Sequence, residues 1–392
     1  MSPPAQSSIA AAAAGTRPPT VLQVLPALES GGVERGTVEI AAGLHTAGWR
    51  ALVASSGGAM EYELARIGAE HVTLPLDRKN PIIIHRNAAR LARLILGQGV
   101  DLVHARSRAP AWSAYLAARR TGRPFVTTFH GAYGSAPWKH WYNAVMAKGD
   151  VVIAISDFIA EHVRRHHHVE AQRLVTIHRG VDTAVFDPAR VSAERIVRLA
   201  QSWRLDDGAS VILLPARLTR LKGQAVLLEA MARLDRPDLI CVLLGGDHGS
   251  PGYAREVDRV IRRHGLGGSV RIVPPCRDMP AAYMLADAVV STSTRPEGFG
   301  RTIAEAQAMG RPVIASAHGG ATEIVRPGET GWLTRPGQAA ELQQALAAAL
   351  SLSRQARERM AGAARAVVLE RFSLATMQKR TLAVYKGLLA RN

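Results

Sequence analysis

Two glutamates, Glu297 and Glu305, flank a glycine-rich segment and have the clearest potential for ligand chemistry in this chain. The segment follows an apolar run and leads into a helical pattern, which places Gly298 and Gly300 at a strand-to-helix turn. Unpaired N–H groups and the positive end of a helix dipole at such a turn attract an anion, and we expect a phosphate. Carboxylates repel phosphate but accept hydrogen bonds from sugar hydroxyls. The pair therefore predicts a clamp for a nucleotide sugar.

A second group of charged residues follows the apolar run 211–215. Arg217 and Lys222 stand on either side of a short turn, and Gly223 opens an amphipathic helix. An arginine and a lysine held at a helix start suit a diphosphate whose negative charge grows as it leaves. These two cations would complement the glutamate clamp.

Two weaker signals lie earlier in the chain. Gly31 and Gly32 follow the apolar run 21–25, and His130 follows the run 125–129. Paired glycines allow a ligand to approach the backbone, and a histidine at a strand end lies within reach of a cleft. A glycine pair is more often only a turn, however, and a lone histidine is more often structural. Neither feature identifies a site by itself.

The elements that position these residues alternate regularly. A Pro-, Ser- and Ala-rich stretch, 1–17, has no periodic apolar face and is expected to be a disordered tail. Apolar runs separated by amphipathic segments then predict parallel sheets wrapped by helices. The runs are 21–25, 51–54, 71–74, 101–104, 125–129, 151–155 and 174–177, then 211–215, 240–244, 270–273, 288–291, 313–315 and 332–334. A polar stretch at 187–207 separates the two groups, so we predict domains at 18–195 and 196–370, and a terminal helix at 371–392.

Composition narrows the class of protein. With 392 residues, 47% of them hydrophobic, the chain is long enough for two buried cores. No apolar run approaches the roughly 20 residues of a membrane-spanning helix, and the N-terminal alanines lack the basic residues of a secretory signal. Cys241 and Cys276 are the two cysteines, which excludes a disulfide framework and a thiolate metal cluster. We expect a cytoplasmic protein.

The net charge of +17 favours an acidic partner without identifying it. Arg86, Arg90 and Arg93 lie at helical spacing beside Ile82, and the segment 138–142 mixes aromatic with basic side chains. Both compositions suit an anionic membrane surface, although solvated helix faces are the alternative. The chain has no basic tail, zinc pattern or RNA-binding aromatic motif, so we expect no specific nucleic acid. The run 166–168 of three histidines points in three directions on a helix and predicts no metal site.

Taken together, these residues resemble the retaining glycosyltransferases of family 4, which have the GT-B fold of two Rossmann-like α/β/α domains facing a cleft. The resemblance covers nearly the whole chain from Val21. It rests on Gly31-Gly32, Thr128-Phe129-His130-Gly131, Arg217 with Lys222-Gly223, Glu297-Gly298-Phe299-Gly300 with Glu305, and Gly319-Gly320 with Glu323. Within the family, the chain looks most like enzymes that build lipopolysaccharide core or related envelope glycans on lipid-linked acceptors.

The resemblance implies a role for each matched residue. Arg217 and Lys222 would hold the donor diphosphate, and the amides of Gly298, Phe299, Gly300 and Arg301 would add donors. Glu305 would accept from the ribose hydroxyls, and Glu297 from the transferred sugar. His130 would approach sugar and phosphate from the opposite domain, while Gly31 and Gly32 would let the backbone come near the phosphate or the acceptor.

The resemblance also implies a mechanism. Retention without an obvious nucleophile suggests front-side attack, in which the leaving phosphate takes the acceptor proton; Glu297 as a covalent nucleophile is the less favoured reading. Fixed cations would replace a metal, so neither a metal nor another cofactor is expected. The chain departs from the common family pattern at Arg179, where many members have asparagine before Gly-Val-Asp, and at 274–276, where Pro-Pro-Cys replaces a glycine.

The expected function is transfer of a sugar from a nucleotide sugar to a lipid-linked or lipopolysaccharide-type glycan, at the inner face of the cytoplasmic membrane. A nucleotide-sugar epimerase or hydrolase with the same fold is the first alternative. It would release its sugar into solution instead of attaching it to an acceptor. A basic nucleic-acid-binding protein is the second alternative, favoured by the charge alone.

Overall fold

The computed structural model describes residues 17–29, 31–133, 142–234, 236–246 and 251–391. The predicted tail lies outside these ranges except for Arg17, whose guanidinium pairs with Asp101 at 2.7 Å. The disordered tail stays a prediction, and this contact places Arg17 beside the first sheet. Residues 138–141 of the predicted aromatic and basic cluster also lie outside the described ranges.

The first half of the described chain forms a parallel sheet of seven strands. These are β1 (Thr20–Val24), β2 (Arg50–Ser55), β3 (Glu70–Thr73), β4 (Leu102–Ala105), β5 (Phe125–Phe129), β6 (Val151–Ala154) and β7 (Leu174–Thr176). Their order is β3-β2-β1-β4-β5-β6-β7. The central strands β1 and β5 are buried along their whole length because helices cover both faces of the sheet. Those helices are α1 (Gly32–Thr46), α2 (Glu61–Arg66), α3 (Pro81–Gly97), α4 (Arg108–Thr121) and α5 (Asp157–His167).

The second half of the described chain repeats this plan with six strands. They are β8 (Ser210–Pro215), β9 (Leu239–Leu244), β10 (Val270–Val273), β11 (Ala288–Ser291), β12 (Val313–Ser316) and β13 (Trp332–Thr334), in the order β10-β9-β8-β11-β12-β13. Its helices are α7 (Gln224–Met231), α8 (Pro251–Arg263), α9 (Met279–Leu285), α10 (Arg301–Ala308), α11 (Ala321–Ile324) and α12 (Ala339–Leu350). Two parallel α/β units of this kind confirm the predicted fold class.

The polar stretch between the sheets contains a helix that the sequence reading did not include. This helix, α6 (Ala193–Ser202), begins at Ser192, whose hydroxyl accepts a hydrogen bond from the Arg195 N–H. The Arg195 side chain pairs with Asp278 at 2.6 Å and so attaches α6 to the second domain. The predicted domain boundaries, after 195 and after 370, stay predictions.

The last two helices join the domains. Helix α13 (Arg354–Arg371) packs on α10, and α14 (Leu374–Leu389) begins at the capping residue Ser373 and packs on α1. The Tyr385 hydroxyl lies 2.6 Å from His104 Nδ1 in the core of the first domain. The chain therefore crosses back to the first domain, as it does in the predicted GT-B architecture. None of the described helices is both long and apolar enough to span a bilayer.

Candidate active site

The candidate site lies where the carboxyl ends of the two sheets face each other. His130 follows β5, and the glycine-rich turn follows β11. The Ser156 hydroxyl, which follows β6, donates to the Gly298 carbonyl at 2.6 Å. A Cβ atom on Gly298 would lie 2.8 Å from the His130 carbonyl oxygen. The structure therefore brings His130 and the glycine-rich turn together, and residue 298 must be glycine for this approach.

The glycine-rich turn leaves the start of α10 open to a ligand. Gly300 has a φ angle of 101°, in the region that favours glycine, and provides no side-chain cap. A Cβ on Gly320 would collide with the Phe299 carbonyl oxygen, and the Gly320 N–H donates to the Glu297 carbonyl at 3.0 Å. The Gly319-Gly320 pair thus packs against the backbone of the turn and holds it by a hydrogen bond. The first N–H groups of α10 are positioned for an anion.

Lys222 and Glu297 form an ion pair in this structure. Lys222 Nζ lies 2.8 Å from Glu297 Oε1, and both side chains are about 30% exposed. The Ser293 hydroxyl donates to the same carboxylate oxygen. Gly223, with a φ angle of 68°, lies against the Thr292 carbonyl with no space for a Cβ, and the Thr292 hydroxyl donates to the Lys222 carbonyl at 2.9 Å. The main chain therefore holds Lys222 beside the strand that leads to Glu297.

The Arg217 side chain has fewer contacts than that of Lys222, the other cation predicted for the diphosphate. Its side chain is exposed and forms no hydrogen bond within the described ranges, whereas its carbonyl accepts from Gln224 Nε2 at 2.9 Å. The loop is held by its backbone, and the guanidinium remains open to a ligand. The structure thus brings Lys222 and Glu297 together but leaves the Arg217 side chain apart from them.

Glu305 lies one turn into α10 in a protected environment. Burial raises the pKa of its carboxyl group to about 7, and the nearby Arg301 cation opposes this shift only in part. The fully buried Tyr283 donates its hydroxyl to Glu305 Oε2 at 2.9 Å. Sequence reasoning missed Tyr283, for which the signal was a single hydroxyl in the otherwise apolar helix α9.

His130 is held as a neutral ring. Burial, together with the nearby Arg179 cation, lowers its pKa well below the usual value. The Arg179 guanidinium has only donors and lies 3.0 Å from His130 Nδ1, so Nδ1 accepts and the ring proton is on Nε2. Nε2 is buried and has no hydrogen-bond partner among the described residues. The Arg106 backbone carbonyl nevertheless favours the protonated ring, which makes it a nearby acceptor outside good hydrogen-bond geometry.

The first glycine pair lies at the start of α1, as predicted. Gly31 is extended and makes no side-chain cap, and the Glu34 carboxylate of the first helical turn lies close to it, at the place that a Cβ on Gly31 would take. The Arg301 side chain, from α10, pairs with Glu39 on α1 at 2.6 Å. The starts of α1 and α10 are thus linked across the two domains by an ion pair that the sequence did not predict.

Glu323 makes a second contact between the domains. Its carboxylate accepts from the N–H groups of Asp157 and Phe158, each at 2.8 Å, at the start of α5, and lies 2.8 Å from His178 Nε2. Asp157, His178 and Glu323 bring possible metal-ligand atoms within 4.8 Å of one another. Because the Glu323 carboxylate already has these three partners from the first domain, we interpret the cluster as an interdomain contact.

Replacing Glu323 with alanine is expected to favour a more open arrangement of the domains. The variant would remove the acceptor of two backbone donors and of His178, all from the opposite domain. Small-angle scattering should show a larger radius of gyration than in the wild type. Glu329→Ala, at an exposed position in the same domain, is the matched control. Equal radii for all three proteins would contradict the interdomain role.

Comparisons with known proteins agree with this geometry. Residues 30–185 match the family described as Glycosyltransferase Family 4, and residues 197–367 match Glycosyl transferases group 1. A solved glycosyltransferase from Rickettsia africae is 37% identical, with a TM-score of 0.90 over 96% of this chain and 100% of that one. Anabaena Alr3699/HepE in complex with UDP-glucose is 25% identical, with a TM-score of 0.81 over 94% and 99% of the two chains.

A curated relative, D-inositol 3-phosphate glycosyltransferase 1 of Catenulispora acidiphila, is 32% identical over 270 residues. The match covers 63% of each chain, so this chain spans less than two thirds of the relative's length. The two family matches together cover most of the described chain, one on each α/β domain. The fold is GT-B, and the chain belongs to the glycosyltransferases that join a Glycosyltransferase Family 4 domain to a Glycosyl transferases group 1 domain.

Proposed function

We propose that the chain transfers a sugar, with retained configuration and without a metal, from a nucleotide sugar to a lipid-linked or lipopolysaccharide-type glycan. The observation that carries the proposal is the Lys222–Glu297 pair beside the open start of α10. A cation for a phosphate and a carboxylate for a hydroxyl stand side by side there, as a sugar diphosphate requires. The similar Anabaena protein, in complex with UDP-glucose, supports this class of donor.

In the proposed reaction, Lys222, Arg217 and the amides of α10 bind the diphosphate. As the sugar–phosphate bond breaks, these groups stabilise the negative charge that collects on the leaving phosphate. Glu297 would exchange the Lys222 ammonium for hydroxyls of the transferred sugar, and Glu305 would accept from the ribose. The acceptor hydroxyl attacks from the face that the phosphate leaves, and the phosphate takes its proton.

His130 would act as a neutral hydrogen-bond donor in this reaction. Its buried Nε2–H makes no hydrogen bond of good geometry among the described residues, and its ring lies on the first-domain side of the glycine-rich turn. A neutral donor can bind a sugar hydroxyl without the desolvation cost of a buried charge. The role is therefore one of positioning the donor sugar.

The acceptor has a second candidate. The curated relative named above is a D-inositol 3-phosphate glycosyltransferase, which makes inositol phosphate the second candidate acceptor beside the lipid-linked glycan. Assays with each acceptor class, with the labelled sugar traced either to the acceptor or to free solution, would separate these two cases. They would also separate transfer from the epimerase or hydrolase alternative.

We further propose that the protein is cytoplasmic and binds the inner face of the membrane through α3. Arg86, Arg90 and Arg93 are exposed on this helix, and Ile82 near its start is 63% exposed. Basic side chains beside exposed apolar ones suit anionic lipid headgroups. Binding to anionic vesicles at low salt that is lost on replacing these three arginines would support the proposal. Equal binding to neutral and anionic vesicles would contradict it.

The donor site is tested by thermal stabilisation with a panel of nucleoside diphosphates and their sugars, with and without magnesium. A ligand that binds the native state raises its stability. We expect selective stabilisation by one nucleotide that does not depend on magnesium. No stabilisation by any member of the panel would contradict the proposed function, and a strict need for magnesium would contradict its metal-independent form.

A further inference from the structure

Two arginines of the first domain are buried without a carboxylate partner. Arg106 follows β4 and is 4% exposed, and Arg179 follows β7 and is 7% exposed. Neither forms an ion pair among the described residues; Glu39 and Glu34 lie near enough to favour the charged Arg179, but Glu39 Oε1 pairs with Arg301. A buried charge without a partner is destabilising, so such groups are ordinarily paired or bind a ligand. This pair therefore needs an explanation.

The hydrogen bonds of the two guanidinium groups are also incomplete. The Arg106 side chain forms no hydrogen bond within the described ranges, and its buried Nε has no partner. Arg179 donates through Nη2 to the neutral His130 ring, whereas its buried Nη1 has no partner. Burial, with the cations of Arg301 and Arg106, lowers the pKa of Arg179 to about 9. Several donors thus remain free for a strong acceptor.

Both guanidinium groups converge on the start of α1. A Cβ on Gly36 would collide with Arg179 Nη1 and would lie 3.0 Å from Arg106 Nη2, and one on Gly32 would lie 3.6 Å from Arg179 Nη2. The N–H groups at this helix start add positive potential at the same place, and the Glu34 carboxylate of the first turn offsets part of it, so a bound phosphate would have to displace that side chain. Gly32 and Gly36 thus allow the arginines to approach the first turns of the helix.

We propose that Arg106 and Arg179, with the start of α1, form a second phosphate-binding subsite in the first domain, separate from Lys222 and Arg217. Arginine forks match phosphate oxygens in geometry and charge, and a bound phosphate would supply the acceptor that these donors lack. The phosphate belongs either to the donor diphosphate or to a phosphorylated acceptor. The inference rests on the proposed function and deepens it.

The experiment titrates inorganic phosphate into the full chain by calorimetry, alone and with saturating UDP, at constant ionic strength. Wild type is compared with Arg179→Gln and, separately, with Arg106→Gln. Glutamine at 179 keeps a donor for His130 but removes the charge. Arg165→Gln, at an exposed position on α5, is the control. We expect each test variant to weaken phosphate binding at least tenfold while Arg165→Gln has no effect.

Two outcomes support the subsite and identify its source of phosphate. If phosphate binds to the UDP-saturated protein and the variants abolish that binding, the subsite serves a phosphorylated acceptor. If UDP excludes phosphate and both variants weaken UDP itself, the subsite serves the donor. In either case the unfolding temperature without ligand should not fall in Arg179→Gln, because a buried unpaired charge is removed.

Other outcomes overturn the inference. Unchanged phosphate and UDP binding in both variants, or absence of phosphate binding to the wild type, would remove it. A lower unfolding temperature in Arg179→Gln with unaltered phosphate affinity would show that Arg179 is only a brace for His130. Nucleotide binding is measured in the same series, so failure of the donor site and failure of this subsite are seen separately.

Discussion

Lys222→Ala is expected to lower kcat for sugar transfer by about 10²–10³-fold while the protein remains folded, since loss of one pre-positioned charge-stabilising donor typically has an effect of this size. The ammonium lies 2.8 Å from Glu297, and in the proposed reaction it turns to the leaving phosphate. The substitution should lower kcat more than nucleotide affinity, because the phosphate gains negative charge as the sugar–phosphate bond breaks. Steady-state kinetics and nucleotide calorimetry measure the two effects.

The same turn supplies a matched control for this prediction. Arg220→Ala removes one positive charge two residues away, from a side chain that is 77% exposed and paired with Glu256. Because an exposed pair contributes little to stability and does not face the clamp, turnover should stay close to that of the wild type. Near-normal transfer by folded Lys222→Ala, or an equal loss in both variants, would refute the role of Lys222.

Glu305→Gln is expected to stabilise the protein at pH 8 and to weaken nucleotide binding. Burial raises the pKa of Glu305 to about 7 from an ordinary 4.5, so the folded state binds this proton more tightly than the unfolded state. The resulting stability is fully present below about pH 4.5 and is lost as the pH rises to about 7. The shift corresponds to at most about 3 kcal/mol, which partial exposure of the residue reduces.

Glutamine at this position cannot ionise but can still accept from Tyr283. The difference in free energy of unfolding between Glu305→Gln and wild type should therefore grow between pH 5 and pH 8, in favour of the variant. Denaturant titrations at the two pH values measure this difference, and Glu358→Gln, at an exposed site on α13, should show none. If the difference in free energy of unfolding were the same at pH 5 and pH 8, the pKa of Glu305 would not be shifted.

The proposed contact of Glu305 with the ribose predicts a further effect of the same pKa. Ribose hydroxyls donate to the charged carboxylate and favour it, so nucleotide binding near pH 7 should release a proton. Calorimetry in two buffers of different ionisation enthalpy detects that release, which should be absent in Glu305→Gln. The variant should also bind the nucleotide about tenfold more weakly, because charge-assisted hydrogen bonds to the ribose are lost. If Glu305→Gln bound the nucleotide as tightly as the wild type, the ribose would not contact Glu305.

Much of the fold could be predicted because its strands correspond to apolar runs in the sequence. The predicted strand positions agree with the observed ones to within a residue or two, as at Phe125–Phe129 and Val270–Val273. Buried parallel strands are continuous apolar runs, and such runs are visible in a sequence. The helix α6 was missed because its segment is polar and gains its order from a cap and from the Arg195–Asp278 pair.

The candidate site was predictable only in part. The glycine-rich turn and its two glutamates lie within nine residues, so their arrangement follows from one strand-to-helix connection. The pairing of Lys222 with Glu297 joins residues 75 positions apart, and Tyr283 reaches Glu305 from another helix. Contacts of this range depend on how the strands are ordered in the sheet, which no local pattern contains.

The amino-acid sequence by itself determined the two α/β domains, the positions of the glycines at turns and the set of charged residues available for a nucleotide sugar. Apolar periodicity and glycine content are local properties of the sequence, so they can be recognised without knowing the tertiary structure. Only the tertiary structure shifted the pKa values of His130 and Glu305, and only it buried Arg106 and Arg179 without an ion-pair partner. Those properties depend on desolvation and on charges from distant segments, which exist only when the domains are packed together.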